Sequence, residues 1–344
     1  MLYELFKQNK VQDSVLRPIG AGLSVLYPLG VGLLFHNLHI AQFGILGAFS
    51  FLAFQRISIA YNLKAISIHG ICILLSFILG MLSVKAFWIF PFLIAITSFF
   101  GFMVVKIYRI PKPAHFFVLM LLATGGNTHL ISTNIFYVAS CLIIGILSSI
   151  FNGLLISLLE NLPLRHEKSS HQRLYWRDKL YVTIDERPKI LLDALHFSFI
   201  LFVAGYVAYL LKENFGHWVL ISCAAVLAGE EIEVIKRRYL GRIVGSMIGL
   251  FLGVVLISLK LPTIALMFII ILLNILIEYF MPRNYTIANF FTNPLVLLLS
   301  LLTSNQSASE LVLGRFTGVI LGSVIAFLLI SMMHKALRLS KMEY

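Results

Sequence analysis

Leu240-Gly241-Arg242-Ile243-Val244-Gly245-Ser246-Met247-Ile248-Gly249-Leu250-Phe251-Leu252-Gly253-Val254-Val255-Leu256-Ile257-Ser258-Leu259 is the stretch that decides the class of fold. It carries a single charge and lies between Arg237-Arg238 and Lys260. About twenty such residues make an α-helix long enough to cross the roughly 30 Å hydrocarbon layer of a bilayer. Gly241, Gly245, Gly249 and Gly253 recur at every fourth position and so share one helix face. In lipid a face of small residues lets two helix backbones pack closely, so these glycines read first as a packing surface.

Apolar runs of spanning or near-spanning length recur along the chain. They cover Arg17 to Phe35, His39 to Phe54, Lys64 to Val84, Ala86 to Val105, His115 to Ala123, Ile135 to Leu159, Ile190 to Leu211, His217 to Gly229, Leu240 to Leu259, Thr263 to Met281, Ile287 to Leu302 and Leu311 to Met333. Of the 344 residues 59% are hydrophobic and only 12% charged, where a soluble domain carries roughly a quarter charged residues. A water-soluble core is excluded. The expected fold is an all-α integral membrane protein of about twelve transmembrane helices.

Positive charge tests that division, because Lys and Arg collect on the cytoplasmic side of membrane helices. With twelve spans, all but Lys85, Lys212, Lys260 and Arg315 of the 27 Lys and Arg fall on one side. A missed or invented span would invert every later loop. Both termini are therefore expected in the cytoplasm and the chain in the plasma (inner) membrane. The expected organisation is a cytoplasmic segment 1–16, a six-helix half 17–159, a charged cytoplasmic loop 160–189, a second six-helix half 190–333 and a cytoplasmic tail 334–344. Met1 to Asp13 is polar and the first apolar run leads into further spans, so no cleavable signal is expected.

The formal charge of +12 flanks apolar spans instead of forming a basic surface, so it reads as a topology signal beside lipid headgroups and not as a nucleic-acid site. Cys72, Cys141 and Cys223 lie inside spans and read as small apolar residues, with neither a disulfide framework nor a metal cluster.

Landmarks recur some 170 to 175 positions apart. Arg17-Pro18 parallels Arg187-Pro188, and Ala114-His115-Phe116-Phe117 parallels Ala288-Asn289-Phe290-Phe291. Six helices is an even number, so two such halves run in the same direction, as a parallel repeat. Within the second half, Gly241-Arg242 followed by Gly245, Gly249 and Gly253 is echoed by Gly314-Arg315 followed by Gly318 and Gly322. That echo crosses three helices, an odd number. The two glycine-bearing helices then run oppositely, with Arg242 near the cytoplasmic mouth and Arg315 near the external one, as in an inverted repeat of three helices nested in each half. The second and fifth spans of each half are short or interrupted, the eleventh by Thr292-Asn293-Pro294, and read as broken or re-entrant segments. Short segments at matching places in repeats point to a transport site.

Arg242 and Arg315 are the first candidates for binding. A guanidinium keeps its proton and its planar fork matches a carboxylate, while the competing reading is a pair of membrane anchors that snorkel to headgroups. Asn289, Thr292, Asn293, Trp218 and His115 are expected to complete a substrate site. Asp193 and Glu278 are the carboxylates placed to couple protons, Glu278 with the alternative of pairing Arg283; His69, His115 and His196 are further relay candidates. Glu230-Glu231-Ile232-Glu233 before Lys236-Arg237-Arg238 reads as local ion pairs and not as a metal site. Motifs for metalloprotease, serine-hydrolase and nucleotide chemistry are missing, so no enzyme activity, metal or cofactor is expected.

His217-Trp218, the basic cluster, and Tyr239-Leu240-Gly241-Arg242 running into the glycine helix resemble the fusaric acid resistance and aromatic acid exporter family. The Asn289-Phe290-Phe291-Thr292-Asn293 run and the terminal glycine-rich helix fit it too, and the resemblance is clearest from Arg187 to Ile330. Gly245-Ser246 stands where that family commonly has Gly-Thr, and the substantial cytoplasmic domain of many members is replaced by a loop of about thirty residues. The resemblance implies a secondary transporter that exports organic anions such as aromatic carboxylic acids, with Arg242 and the glycines after it at the family's motif positions. A passive anion channel and a non-transporting membrane organiser are the alternatives. The implied partners are the lipid bilayer and a small organic anion, and glycine-rich faces suit a homodimer.

Overall fold

In the computed structural model, residues 5–9, 14–111, 114–127, 134–165, 176–186, 188–211, 216–303 and 307–339 are described. Among them the chain forms thirteen α-helices and no strand. In the first half α1 is Leu16–Leu34, α2 Leu38–Ala48 prolonged by a 3-10 turn Phe49–Ala53, α3 Ile59–Ser83, α4 Phe90–Ile107, α5 Ala114–Gly126 and α6 Ile135–Leu159. A short helix α7, Trp176–Glu186, follows. The second half is α8 Ile190–Leu210, α9 His217–Leu227, α10 Ile232–Ser258, α11 Thr263–Phe280, α12 Tyr285–Thr303 and α13 Ala308–Leu339.

Every expected span is a helix, and the chain is a multi-pass membrane protein. Among the described residues seven apolar stretches are long enough to cross a membrane, one of them, Ile59–Ile107, comprising both α3 and α4. The four shorter apolar helices are Leu38–Ala53, His115–Gly126, His217–Leu227 and Tyr285–Leu301, the second and fifth of each half. Three expectations are corrected. The stretch 160–189 is not loop throughout, because α7 forms within it; Asp178 in its first turn suits the helix dipole. The helix α13 runs on to Leu339, through the start of the expected tail. And α12 is not broken at Thr292-Asn293-Pro294: Pro294 lies inside a continuous helix. Proline cannot donate to the carbonyl four residues back, here that of Phe290, and a Cβ on Gly249 would lie 2.9 Å from that oxygen. The freed carbonyl thus lies against a helix face that has no side chain. Pro28 inside α1 frees the carbonyl of Ser24 in the same way, and the Ser148 hydroxyl donates to it at 2.8 Å.

The two halves share one packing pattern. In each, the second helix packs on the sixth, the third on the fifth, and the third on the sixth, while the fourth helix of either half lies against the first of the other. Glycines mark equivalent seams. Gly80 on α3 abuts the backbone of α5 and Gly253 on α10 abuts α12; Gly145 on α6 abuts α2 and Gly318 on α13 abuts α9. Both pairs are 173 positions apart in sequence. The landmark Arg187 lies outside the described residues.

Two apolar clusters join the halves. One unites Ile94, Phe102, Leu119 and Leu122 with Ile200, Leu201 and Leu220, and the other Val25, Leu29 and Ile45 with Ile270, Leu295 and Leu298. Outward-facing Phe100, Phe251 and Phe268 remain exposed, as lipid-facing side chains do. Buried amides tie helices together where lipid offers no partner: Asn62 donates to Ser157 at 2.9 Å within the first half, and Asn274 to the Ala21 carbonyl at 3.1 Å between halves.

Candidate functional site

Because the four short helices cannot fill the membrane's thickness, they leave space where the halves meet. A cavity of about 1580 Å³ lies there, lined by α2, α5, α9 and α12 together with residues of α1, α4, α10, α11 and α13. Its apolar wall includes Phe49, Phe116, Phe117 and Trp218. One end is basic, with Lys7, Arg237, Arg238 and Arg283; the lining also takes in Asn134, Tyr137 and Ser300. The residues before α1 lie along the basic end, where Asn9 donates to the Arg283 carbonyl at 2.8 Å and Asn284 to the Leu5 carbonyl at 2.9 Å.

Both expected arginines reach this cavity and both are buried, Arg242 with 4% and Arg315 with 2% of its surface exposed. The glycine face of α10 explains how Arg242 is placed. Cβ atoms on Gly241, Gly245 and Gly249 would collide with Thr286, Asn289 and the backbone of α12, so α10 and α12 touch closely enough for Arg242 Nη1 to donate to Asn289 Oδ1 at 2.8 Å. From α13, Arg315 Nε donates to Asn293 Oδ1 at 2.9 Å, and its guanidinium lies 4.0 Å from the Trp218 ring centroid, a cation–π contact. Gly318 and Gly322 of α13 meet the backbone of α9 at Trp218 and Val219; Gly314, one turn earlier, is buried.

This geometry overturns the expectation that the two arginines mark opposite mouths. Asn289 and Asn293 are one turn apart on α12, about 6 Å along its axis. Their arginines therefore form one cluster near the middle of the protein. The helices start earlier than their apolar runs do: Arg242 is about 15 Å into α10 and Arg315 about 10 Å into α13.

The cluster's chemistry follows from its partners. Among the described residues neither arginine has a carboxylate partner, and Arg242 Nε and Arg315 Nη1 are buried with no hydrogen bond. Buried cations that lack a counter-charge and retain unused donors make a receptor for an anion.

The remaining candidates separate clearly. Trp218, His115 and Thr292 line the cavity with the arginines. Asn289 and Asn293 do not; fully buried, they hold the arginines from behind. Glu278 lines the cavity and is paired to Arg17 at 2.9 Å, not to Arg283, which donates to the Tyr279 carbonyl and stacks on that ring. Asp193 is on an exposed face at the start of α8, away from the cavity lining. The acidic and basic run after α9 makes only one local pair, Lys236 with Glu233; Glu230 instead meets Lys106 of α4 at 2.6 Å across the halves.

Arg238, His217 and Ser222 also belong to the site; in the sequence Arg238 reads only as a local ion-pairing base, His217 only as part of the family resemblance, and Ser222 carries no signal. Arg238 donates to the Ala225 carbonyl at the end of α9 and stacks over Tyr285; it is four residues before Arg242, on the glycine face, which was a readable signal. Ser222 stands 3.5 Å from Arg242 Nη2, and nothing in the order of residues marks that contact.

The helices that build this cluster also carry the likeness to other proteins. Residues 203–329 match the model of the family described as fusaric acid resistance protein-like. The resemblance read from the glycine helix is thereby shown over most of the second half. An uncharacterized membrane protein YvaC of Bacillus subtilis (strain 168) is 28% identical over 145 residues, 42% of this chain and 23% of that protein. An uncharacterized protein of Haemophilus influenzae (strain ATCC 51907 / DSM 11121 / KW20 / Rd) is 26% identical over 155 residues, 44% of this chain and 21% of that one. The matched stretch thus spans under a quarter of each relative's length. No solved structure matches the chain.

Proposed function

We propose that the protein is a secondary transporter of the plasma (inner) membrane that exports organic anions such as aromatic carboxylic acids, with proton coupling, and that it is not an enzyme. The observation that carries this reading is the pair of buried arginines, held one turn apart by Asn289 and Asn293 with donors left over, at the wall of a cavity between two similar halves. A carboxylate accepts from the two guanidiniums while an aromatic body packs on Trp218, Phe116 and Phe117. The basic end faces the cytoplasm in this reading and collects the anion there. A fusaric acid resistance-like segment over 203–329 agrees with transport.

The test is uptake of radiolabelled benzoate into proteoliposomes containing the full chain. Saturable uptake is expected, with at least tenfold loss in Arg242→Gln and in Arg315→Gln, since a charge-assisted hydrogen bond contributes about 1.5–3 kcal/mol. Wild-type uptake no faster than in protein-free vesicles overturns the proposal. A passive anion channel is the second reading, favoured by a lining that reaches from Lys7 to Asn134 and Ser300. Planar-bilayer currents far above carrier turnover would establish it.

A further inference from the structure

Proton coupling needs a titratable group within reach of the anion, and the expected carboxylates suit it poorly: Asp193 is on an exposed face of α8, and Glu278, though on the cavity lining, is paired with Arg17. His217 is within reach. It opens α9 on the cavity wall, its ring centroid 4.4 Å from that of Trp218, and Trp218 in turn carries the Arg315 guanidinium at 4.0 Å. Its Nδ1 is buried with no hydrogen bond among the described residues. Gly318 fixes the arrangement, because α13 meets Trp218 there with no side chain between them.

We propose that His217 takes up a proton when an anion docks on Arg315, so that acid and proton cross together. The proposal rests on the organic-anion reading. Arg315 stays cationic at all working pH, and its field opposes a second positive charge on the neighbouring imidazole. A carboxylate on Arg315 cancels that field. A proton then passes from cavity water to an imidazole nitrogen, and returns to water when the anion leaves; no covalent bond to substrate forms. Linkage is reciprocal, so protonated His217 also tightens anion binding by the same factor.

The elements packed on α9 bring few other charges to this point. Arg242 of α10 reaches α9 at Ser222, His115 of α5 lines the same cavity, α8 carries Asp193, His196, Tyr206 and Tyr209, α13 carries Glu310 in its first turn and His334 and Lys335 towards its end, and Glu233, Arg237 and Arg238 of α10 line the basic end, with Lys236 paired to Glu233. Arg315 and His217 both contact the Trp218 ring, the guanidinium at 4.0 Å and the imidazole centroid at 4.4 Å. Lys212, Glu213 and His129 lie outside the described residues.

The His217–Trp218 stack supplies a direct readout, because an imidazolium quenches a neighbouring indole. In full-length protein with Trp88 and Trp176 replaced by Phe, the fluorescence of Trp218 is titrated with acid. Quenching is expected, and is lost in His217→Gln. Arg315→Gln moves the quenching to higher pH by about one unit or more, while Arg315→Lys, which keeps the charge, leaves it in place and guards against misfolding. Sodium benzoate moves the wild-type curve in the same direction as Arg315→Gln and leaves the Arg315→Gln curve unmoved. Quenching that survives His217→Gln, or that ignores both Arg315→Gln and benzoate, overturns the proposal. A shift with Arg315→Gln but none with benzoate keeps the field of Arg315 on His217 and overturns the organic-carboxylate reading beneath it.

Discussion

Asn289 and Asn293 each spend their side-chain nitrogen on the carbonyl four residues back, that of Tyr285 and that of Asn289, and leave the oxygen for an arginine. Each amide is thereby locked in one orientation, and each guanidinium is aimed without being neutralised. In the proposed function this is what distinguishes an anion receptor from a structural ion pair. Asn289→Asp would supply a counter-charge of nearly the same shape; we expect the protein to fold with unchanged or higher thermal stability while benzoate binding, measured by calorimetry, falls at least tenfold. Asn289→Leu removes the oxygen and leaves a donor of Arg242 unsatisfied, a cost of about 1–3 kcal/mol to stability, so the two variants separate charge from support. The arginines were legible in the sequence by their repeated Gly-Arg context. His217 was legible only as part of the family resemblance and Ser222 not at all, because a lone His or Ser in an apolar run has many innocuous uses, and only its neighbours in space show which one applies.

At the scale of elements, the glycine faces do structural and functional work together. They seat α10 on α12 and α13 on α9, and these two seams bring Asn289 to Arg242 and Trp218 to Arg315. Gly249→Leu is expected to destabilise by about 1–3 kcal/mol or more, as overpacking does, with loss of benzoate binding, since its Cβ would meet the α12 backbone. Gly145→Leu in the first half, at the seam equivalent to that of Gly318, where a Cβ would meet the carbonyl of Gly44, should lower the midpoint of thermal unfolding in detergent at least as much while leaving the affinity of the folded fraction unchanged. If Gly145→Leu instead weakened binding per folded molecule, the arginine cluster would not be the whole site. The helices themselves were readable from apolar length. The length of α10 and α13 beyond their apolar runs was not, because charged turns at the water interface continue a helix without leaving a hydropathy signal.

For the whole molecule, ion pairs join the halves at the basic end: Arg17 of α1 with Glu278 of α11, and Lys106 of α4 with Glu230 after α9. The first is largely buried, its side chains 14% and 10% exposed. Removing Arg17 alone takes a buried partner from Glu278 and is expected to cost about 3–5 kcal/mol. The exchange Arg17→Glu with Glu278→Arg should recover most of that loss in a thermal-shift assay, and failure to recover would mean that the pair's surroundings, rather than the pair, hold the halves. Membrane orientation is tested separately. A reporter fused after His334 should be active on the cytoplasmic side, as the placement of Lys and Arg predicts; external activity would invert the direction of transport proposed here.

Sequence alone determined the class of fold, the twelve spans and which four are short, because hydropathy, length and glycine spacing are local properties that a bilayer reads directly. It also pointed to Arg242 and Arg315. Only the tertiary structure decided that the two arginines form one cluster instead of marking two mouths, that α12 stays whole through Pro294, and that Glu278 answers Arg17 and Glu230 answers Lys106. Those outcomes depend on which helix face meets which, and contacts between residues tens to hundreds of positions apart are set by packing that no local pattern encodes.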